Sequence, residues 1–263
     1  MLPWKLTNLL ECRGVKIIVC IKRVPNTETR IKLLEGHSQI SSEGVKYITS
    51  PYDEFALEAG IRTKEAQESG TVTALTLGDD GAQENLRNAL ALGADQGILL
   101  KGLVTMDGLA TAKVLAKELA SAGPDLVLTG VKAGDDDQQQ VGPMMAALLD
   151  YRCATNVTSF RIDGSMAICQ RQIEGGTEVI ELPLPAVITV TKGEFEPRFP
   201  SLKGIMSAKK KPLAIKDVEV PESHLIVSGL EHPPGRNGIH IVEEGLGGVP
   251  ELVRLLREEA KVL

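Results

Sequence analysis

Basic charge is in deficit in this sequence. Lys and Arg number 29 against 35 Asp and Glu, a net charge of -6, which argues against a nucleic acid or an anionic membrane as the main partner, since both demand a basic excess. No stretch approaches the ~20 consecutive apolar residues of a membrane span. The cysteines are few (Cys12, Cys20, Cys153, Cys169) and show no C-x-x-C or other metal spacing, and His37, His224, His232 and His240 pair with none of them. That pattern points to buried thiols in a reducing compartment rather than to a metal site. Cys20, set among Val and Ile, reads as a small buried hydrophobe. No Ser-His-Asp or Cys-His arrangement can be built from the spacings, and no G-x-x-x-x-G-K-[ST] loop is present, so neither nucleophilic catalysis nor triphosphate hydrolysis is expected. Residues 1–14 lack the apolar core and cleavage site of a secretion signal and read as an extension before the first strand.

What is present is ordinary globular composition, 43% apolar and 24% charged, arranged as alternating β-branched runs and amphipathic stretches from Val15 onward. That alternation predicts a doubly wound, mostly parallel α/β sheet. VKIIVCIKRV (15–24) reads as a buried first strand, and IKLL (31–34) with a partner at 39–41 as a short antiparallel excursion. Ser50 and Pro51 open a helix that Gly70 closes, with Asp53 and Glu54 at its positive end. Further strand-helix units follow: TVTALTLG (71–78), whose following GDDGAQE turn is either a nucleotide turn or a helix cap; QGILLK with a helix from Asp107 to Ser121; and DLVLTG with a helix ending near Asp150. The short strands TNVTSFRI, SMAICQRQI, TEVIEL and PAVITVT then suggest an antiparallel extension. Regular pattern fades after Lys192 until VPELVRLLREEAKVL (249–263), whose Leu252, Leu255 and Leu256 need a surface to cover them.

The segment GVKAGDDDQQQVGP (130–143) sits where an α/β protein holds a phosphate, yet it carries three consecutive acids, Asp135, Asp136 and Asp137. Such a turn binds phosphate with backbone N–H groups and the helix N-terminus, so its side chains are free to cap the helix or to accept from ribose hydroxyls. Gln138, Gln139 and Gln140 would supply uncharged donors, Gly142 would let the helix lie close to a neighbour, and Pro143 puts the helix start near Gln139 or Gln140. A solvated acidic turn capping an ordinary helix fits the same residues.

Several separated stretches, taken in order, resemble the β subunit of electron transfer flavoprotein: VCIKRVP (19–25), SPYDEFALEAGIRTKE (50–65), NALALGAD (88–95), DLVLTGVKAGDDDQQQVG (125–142), QIEGGTE (172–178), LPAVITV (184–190), EPRFPSLKGIMSAKKK (196–211) and EHPPGR (231–236). The resemblance implies an adenine-nucleotide-binding α/β fold that pairs with an α subunit, shares that subunit's FAD, and buries AMP. It implies electron transfer from acyl-CoA or other flavin dehydrogenases to a quinone reductase, with the chain a carrier subunit and not an enzyme. By position, the AMP-contacting residues would be Cys20; Ser50, Pro51, Tyr52 and Asp53; Leu77; and Gly130, Val131, Lys132, Ala133, Gly134, Asp135, Asp136, Asp137, Gln138, Gln139, Gln140 and Val141.

The resemblance also marks residues 191–211 as a partner-recognition loop, with Leu202 as anchor and Lys203, Lys209, Lys210 and Lys211 behind it; taken alone, the same residues fit an inward-packed leucine on a solvated turn. Residues 15–211 would form the nucleotide-binding domain and 212–263 an arm on the α subunit. The chain departs from the family in having Thr27 where many members carry an aromatic near the flavin. A bifurcating branch binds a second FAD in place of AMP and accepts electrons from NADH. Members of that branch read Asp-Gly-Asp-Thr where this chain has Asp135 to Gln138, and a side chain at Asp136 narrows the room a glycine leaves. AMP is therefore the expected ligand and FAD the alternative. A stand-alone adenine-nucleotide-binding or hydrolysing protein of the same superfold is the alternative of another class. The expected location is cytoplasmic, or the mitochondrial matrix in a eukaryote.

Overall fold

The computed structural model describes residues 14–36, 39–102, 107–235, 240–242 and 245–263; most of the N-terminal extension, with Cys12, and also His37 and Arg236 lie outside them. A nine-stranded sheet runs in the order β11-β5-β4-β1-β6-β10-β7-β8-β9, with β1 Val15–Cys20, β4 Gly70–Gly78, β5 Gln96–Lys101, β6 Leu126–Gly130, β7 Arg152–Asp163, β8 Met166–Ile173, β9 Gly176–Pro183, β10 Ala186–Val190 and β11 Leu213–Asp217. Every pairing from β11 to β7 is parallel, and β8 and β9 add antiparallel strands at one edge.

Helices cover both faces, as period-2 alternation along the buried strands requires. Ile17 and Val19 of β1 face α1 (Pro51–Ala66) and α2 (Ala82–Leu92), where Leu57, Ile61, Leu86 and Leu90 pack. Ile18 and Cys20 face α3 (Gly108–Ala122) and α4 (Val141–Leu149), through Leu115, Leu119 and Met145. The parallel core of the fold thus takes the form that the strand-helix alternation predicts.

Three strand expectations are corrected. Residues 15–24 are not one strand: β1 ends at Cys20, and β2 (Arg23–Pro25) turns away to pair antiparallel with β3 (Tyr47–Thr49). The ladder stops because the Lys22 N–H donates to the Asp53 carboxylate at 2.7 Å instead of to a strand. PAVITVT does not belong to the antiparallel edge. Ala186–Val190 lies parallel between β6 and β7, and its uninterrupted burial is what a central strand covered on both faces demands. Finally, Leu213–Asp217, expected in the arm, forms the edge strand β11 against β5.

The excursion at 31–41 is a single antiparallel bridge, Leu33 with Ile40. The last helix is α6 (Val249–Arg254), and its continuation at 255–259 widens into a π turn. Beyond β11, Ser223 Oγ and His224 N reach the Asp107 carboxylate at 3.3 and 2.7 Å, so residues 218–224 lie on the body and the arm proper starts later. Its side chains are open: Ile226 is 85% exposed and Leu246 91%.

Gly142 is where α4 touches the sheet. A Cβ there would lie 2.5 Å from Thr189 Cγ2 on β10 and 3.1 Å from Thr129 Oγ1 on β6. Gly142→Ala should therefore destabilise the chain by about 1–3 kcal/mol, the usual range for overpacking, read as a lowered urea midpoint with unchanged slope.

Candidate functional site

Strand order reverses between β1 and β6, since β4 and β5 extend from one side of β1 and β10 and β7 from the far side of β6. Ligands of open α/β sheets bind outside the carboxyl ends of strands at such a switch point. A cleft open to solvent lies there, walled by Cys20 of β1, Leu77 of β4, Thr129 and Gly130 of β6, Leu115 of α3 and Val141 of α4.

Its frame is set by α1. Asp53, 6% exposed, accepts the Lys22 N–H at 2.7 Å on Oδ2 and the Gly130 N–H at 2.8 Å on Oδ1, pinning the two strand ends that flank the reversal. Burial pushes its carboxyl up to about 7, opposed by those two N–H donors and by the Lys22 ammonium. Gly130 tolerates no side chain, because a Cβ would meet Asp53 Oδ1 at 2.6 Å. Ser50 is the residue before α1, but its hydroxyl does not cap that helix; it accepts from the Gly134 N–H at 3.2 Å. The first turn of α1 therefore fastens the acidic loop as well as the strands.

The acids are paired. Lys22 Nζ donates to Asp135 and Asp136, each at 2.8 Å, and Lys132 Nζ to Asp137 at 2.6 Å. Hydrogen bonds to Asp135 and Asp136 hold the Lys22 ammonium above the ordinary lysine range against its burial, and the bond to Asp137 does the same for Lys132. Asp136 Oδ1 also accepts from the Gln138 N–H at 3.3 Å. The loop holds Asp137 and Gln139 at φ of 52° and 57°, a left-handed conformation that costs a non-glycine residue roughly 1 kcal/mol. Helix α4 begins at Val141, with Gln140 as the flanking residue, within two residues of the start inferred from Pro143.

Of the residues expected to hold a nucleotide, the cleft is lined by Cys20, Asp53, Leu77, Gly130, Val131, Lys132, Ala133, Asp136, Gln138, Gln139, Gln140 and Val141. Ser50, Pro51, Tyr52, Gly134, Asp135 and Asp137 do not line it. The Ser50 N–H donates to the Lys22 carbonyl at 2.9 Å and Asp135 pairs with the Lys22 ammonium, Lys132 Nζ lies 5.7 Å from the Tyr52 ring centroid, and Asp137 holds Lys132. Ile21, Lys22, Gly108, Thr111, Leu115, Thr129 and Gly142, none of them among the residues expected to hold a nucleotide, also line the cleft. Thr111 and Leu115 are four apart on α3, one helical face, and Asp107 before them caps the helix by accepting from Leu109 N and Ala110 N at 2.8 and 3.2 Å. That capping signature was legible; that α3 closes the cleft was not. The alternative nucleotide turn after β4, GDDGAQE (78–84), puts no residue in the cleft lining; its Asp79 and Asp80 turn to Arg23 and Lys101. Burial raises the Cys20 thiol above the ordinary range, so it serves as an apolar wall and not as a nucleophile.

The second expected surface is a short helix, α5 (Leu202–Ala208), where the sequence suggested a loop; Ser201 caps it through the Gly204 N–H at 3.0 Å. Leu202 is 83% exposed, beside Phe199 at 94% and Met206 at 72%. Lys203, Lys209 and Lys210 are exposed as well. Lys211 is not part of that charged face: its Nζ donates to the Leu90 and Ala94 carbonyls at the end of α2, at 2.9 and 2.6 Å. The approach to α5 is anchored by Arg198, bidentate to both Glu58 and Glu65 at 2.7–3.0 Å.

Fold and cleft define a doubly wound α/β protein with an open cleft at the switch point. Comparison with known proteins narrows that class. The family model for the electron transfer flavoprotein domain matches residues 38–222. Electron transfer flavoprotein subunit beta of Bacillus subtilis (strain 168) is 38% identical over 260 residues, covering 95% of this chain and 100% of its own. That of Syntrophomonas wolfei is 36% identical over 250 residues, 95% and 98%, and the human subunit 34% over 256 residues, 94% and 99%. The chain belongs to the electron transfer flavoprotein β-subunit family, whose members are electron carriers working with an α subunit. Among the described residues no helix is long and apolar enough to cross a membrane.

Asp53 yields a pH prediction. Its folded value, about 7, lies above the ordinary carboxylate value of 3.8, so the folded chain binds the extra proton between those values and this group's contribution to stability falls as pH rises through that window. Asp53→Asn should flatten the fall between pH 4 and 7. At pH 7.5 it should also cost about 1–3 kcal/mol, because an amide donor then faces a backbone N–H. Urea denaturation of both forms at pH 5 and 7.5 measures the two effects.

Proposed function

We propose that the chain holds AMP in the switch-point cleft, completes the FAD site of its α subunit and carries electrons from flavin dehydrogenases to a quinone reductase. The observation that supports the nucleotide is the composition of the cleft. Leu77, Leu115, Cys20 and Val141 offer apolar walls for a base, while the Gln138–Gln140 run and the start of α4 bring neutral donors to one end. Gly108, Gly130 and Gly142 also line the cleft. The flavin of the α subunit supplies the redox chemistry; this chain's residues bind and orient. AMP is favoured over a second FAD because the Asp136 carboxylate, 13% exposed and tied to Lys22, takes up cleft wall that a larger ligand needs.

Exposed apolar residues along 226–263 support an arm that packs on the α subunit, which distinguishes a subunit from a stand-alone nucleotide-binding protein. Phe199, Leu202 and Met206, ringed by Lys203, Lys209 and Lys210, support docking on an acidic dehydrogenase surface. The compartment that suits this role is the cytoplasm, or the mitochondrial matrix in a eukaryote.

Co-expression with the α subunit, denaturation and chromatography of the released nucleotides tests the reading: one FAD and one AMP per heterodimer are expected, whereas two FAD and no AMP would replace the simple carrier with a bifurcating one. Leu202→Ala should raise the apparent KM for a donor dehydrogenase about tenfold with flavin content intact. Unchanged rates at limiting dehydrogenase would remove the docking role.

A further inference from the structure

We propose that Asp135 and Asp136 make the cleft selective by charge, admitting an adenine nucleotide with one phosphate and penalising each additional one. The inference rests on the nucleotide reading above and concerns its specificity. Two lysines line the cleft, and both are engaged: Lys22 Nζ by Asp135 and Asp136 at 2.8 Å each, Lys132 Nζ by Asp137 at 2.6 Å. Two positive charges face three negative ones, before the buried Asp53 carboxyl in the same wall is added. A phosphate cannot draw Lys22 to itself without stripping two carboxylates of their counterion, one of them only 13% exposed.

The acids also cannot swing away. Their loop is fastened at Gly134 by Ser50 Oγ and at Gln138 N by Asp136 Oδ1, with Asp137 held in its left-handed conformation by Lys132. What remains for the ligand is backbone N–H and the neutral amides of Gln139 and Gln140. Such donors position a single phosphate; they do not neutralise a growing polyphosphate, and repulsion in a half-buried cleft rises with each charge.

The test is calorimetric titration of the nucleotide-stripped full-length chain, in complex with its α subunit, using magnesium-free AMP, ADP and ATP as probes. Wild type should bind ADP at least about tenfold more weakly than AMP, and ATP more weakly still. Asp136→Asn, and independently Asp135→Asn, should tighten ADP more than AMP and narrow the ratio by about tenfold. Raising salt should narrow it in the wild-type protein, with no substitution needed. AMP binding with an ADP ratio unmoved by salt and by both variants would overturn charge selection while leaving the nucleotide site standing. If the wild-type complex takes none of the three nucleotides, the site assignment fails and the selectivity with it.

Discussion

A buried carboxylate holds the site together. Asp53 lies in the first turn of α1, accepts from the backbone beyond β1 and from the end of β6, and by doing so fixes the separation of the two strands between which the sheet reverses. Taking a carboxyl group from water is expensive, which is why its pKa climbs; the two N–H groups it satisfies would otherwise be unpaired at strand ends. The arrangement forces other choices. Residue 130 must be glycine, Lys22 must leave the strand and point its ammonium along the cleft, and Ser50 is placed to catch Gly134.

The acidic run follows from that frame. Three adjacent aspartates would repel one another if they were free, but each is matched to a lysine delivered by a neighbouring strand end or by the loop itself. The charge run is therefore a structural clasp whose polarity also shapes what can enter. The loop stays in a left-handed conformation at Asp137 and Gln139, a cost that the ion pairs and backbone contacts offset.

The fold separates its tasks in space. The parallel core carries the cleft at one end of its strands, and the short helix α5, rooted through Arg198 on α1, presents apolar side chains elsewhere. Arg87 donates to the Ala208 and Lys211 carbonyls at 2.7 and 2.9 Å, so α5 is presented rigidly from α2 rather than hung on a loose loop. In the tail after His224, Leu225, Ile226, Ile241 and Leu246 are exposed.

Local pattern was enough for the alternation of strands and helices, the helix start at Pro51 and the acidic turn after β6, because hydrophobic period and the fixed φ of proline act over a few residues. Resemblance of separated motifs was enough for the family. Only the tertiary structure decided that Ala186–Val190 enters the parallel core, that Leu213–Asp217 closes the far edge, that Lys211 caps α2, and that Lys22 belongs to the cleft. Each of these depends on a partner far away in sequence: β10 finds β6 and β7, β11 finds β5, and Lys22 finds acids more than a hundred residues later. Pattern along the chain records what a segment can bury, whereas register and ion pairing across the sheet are settled when the segments meet.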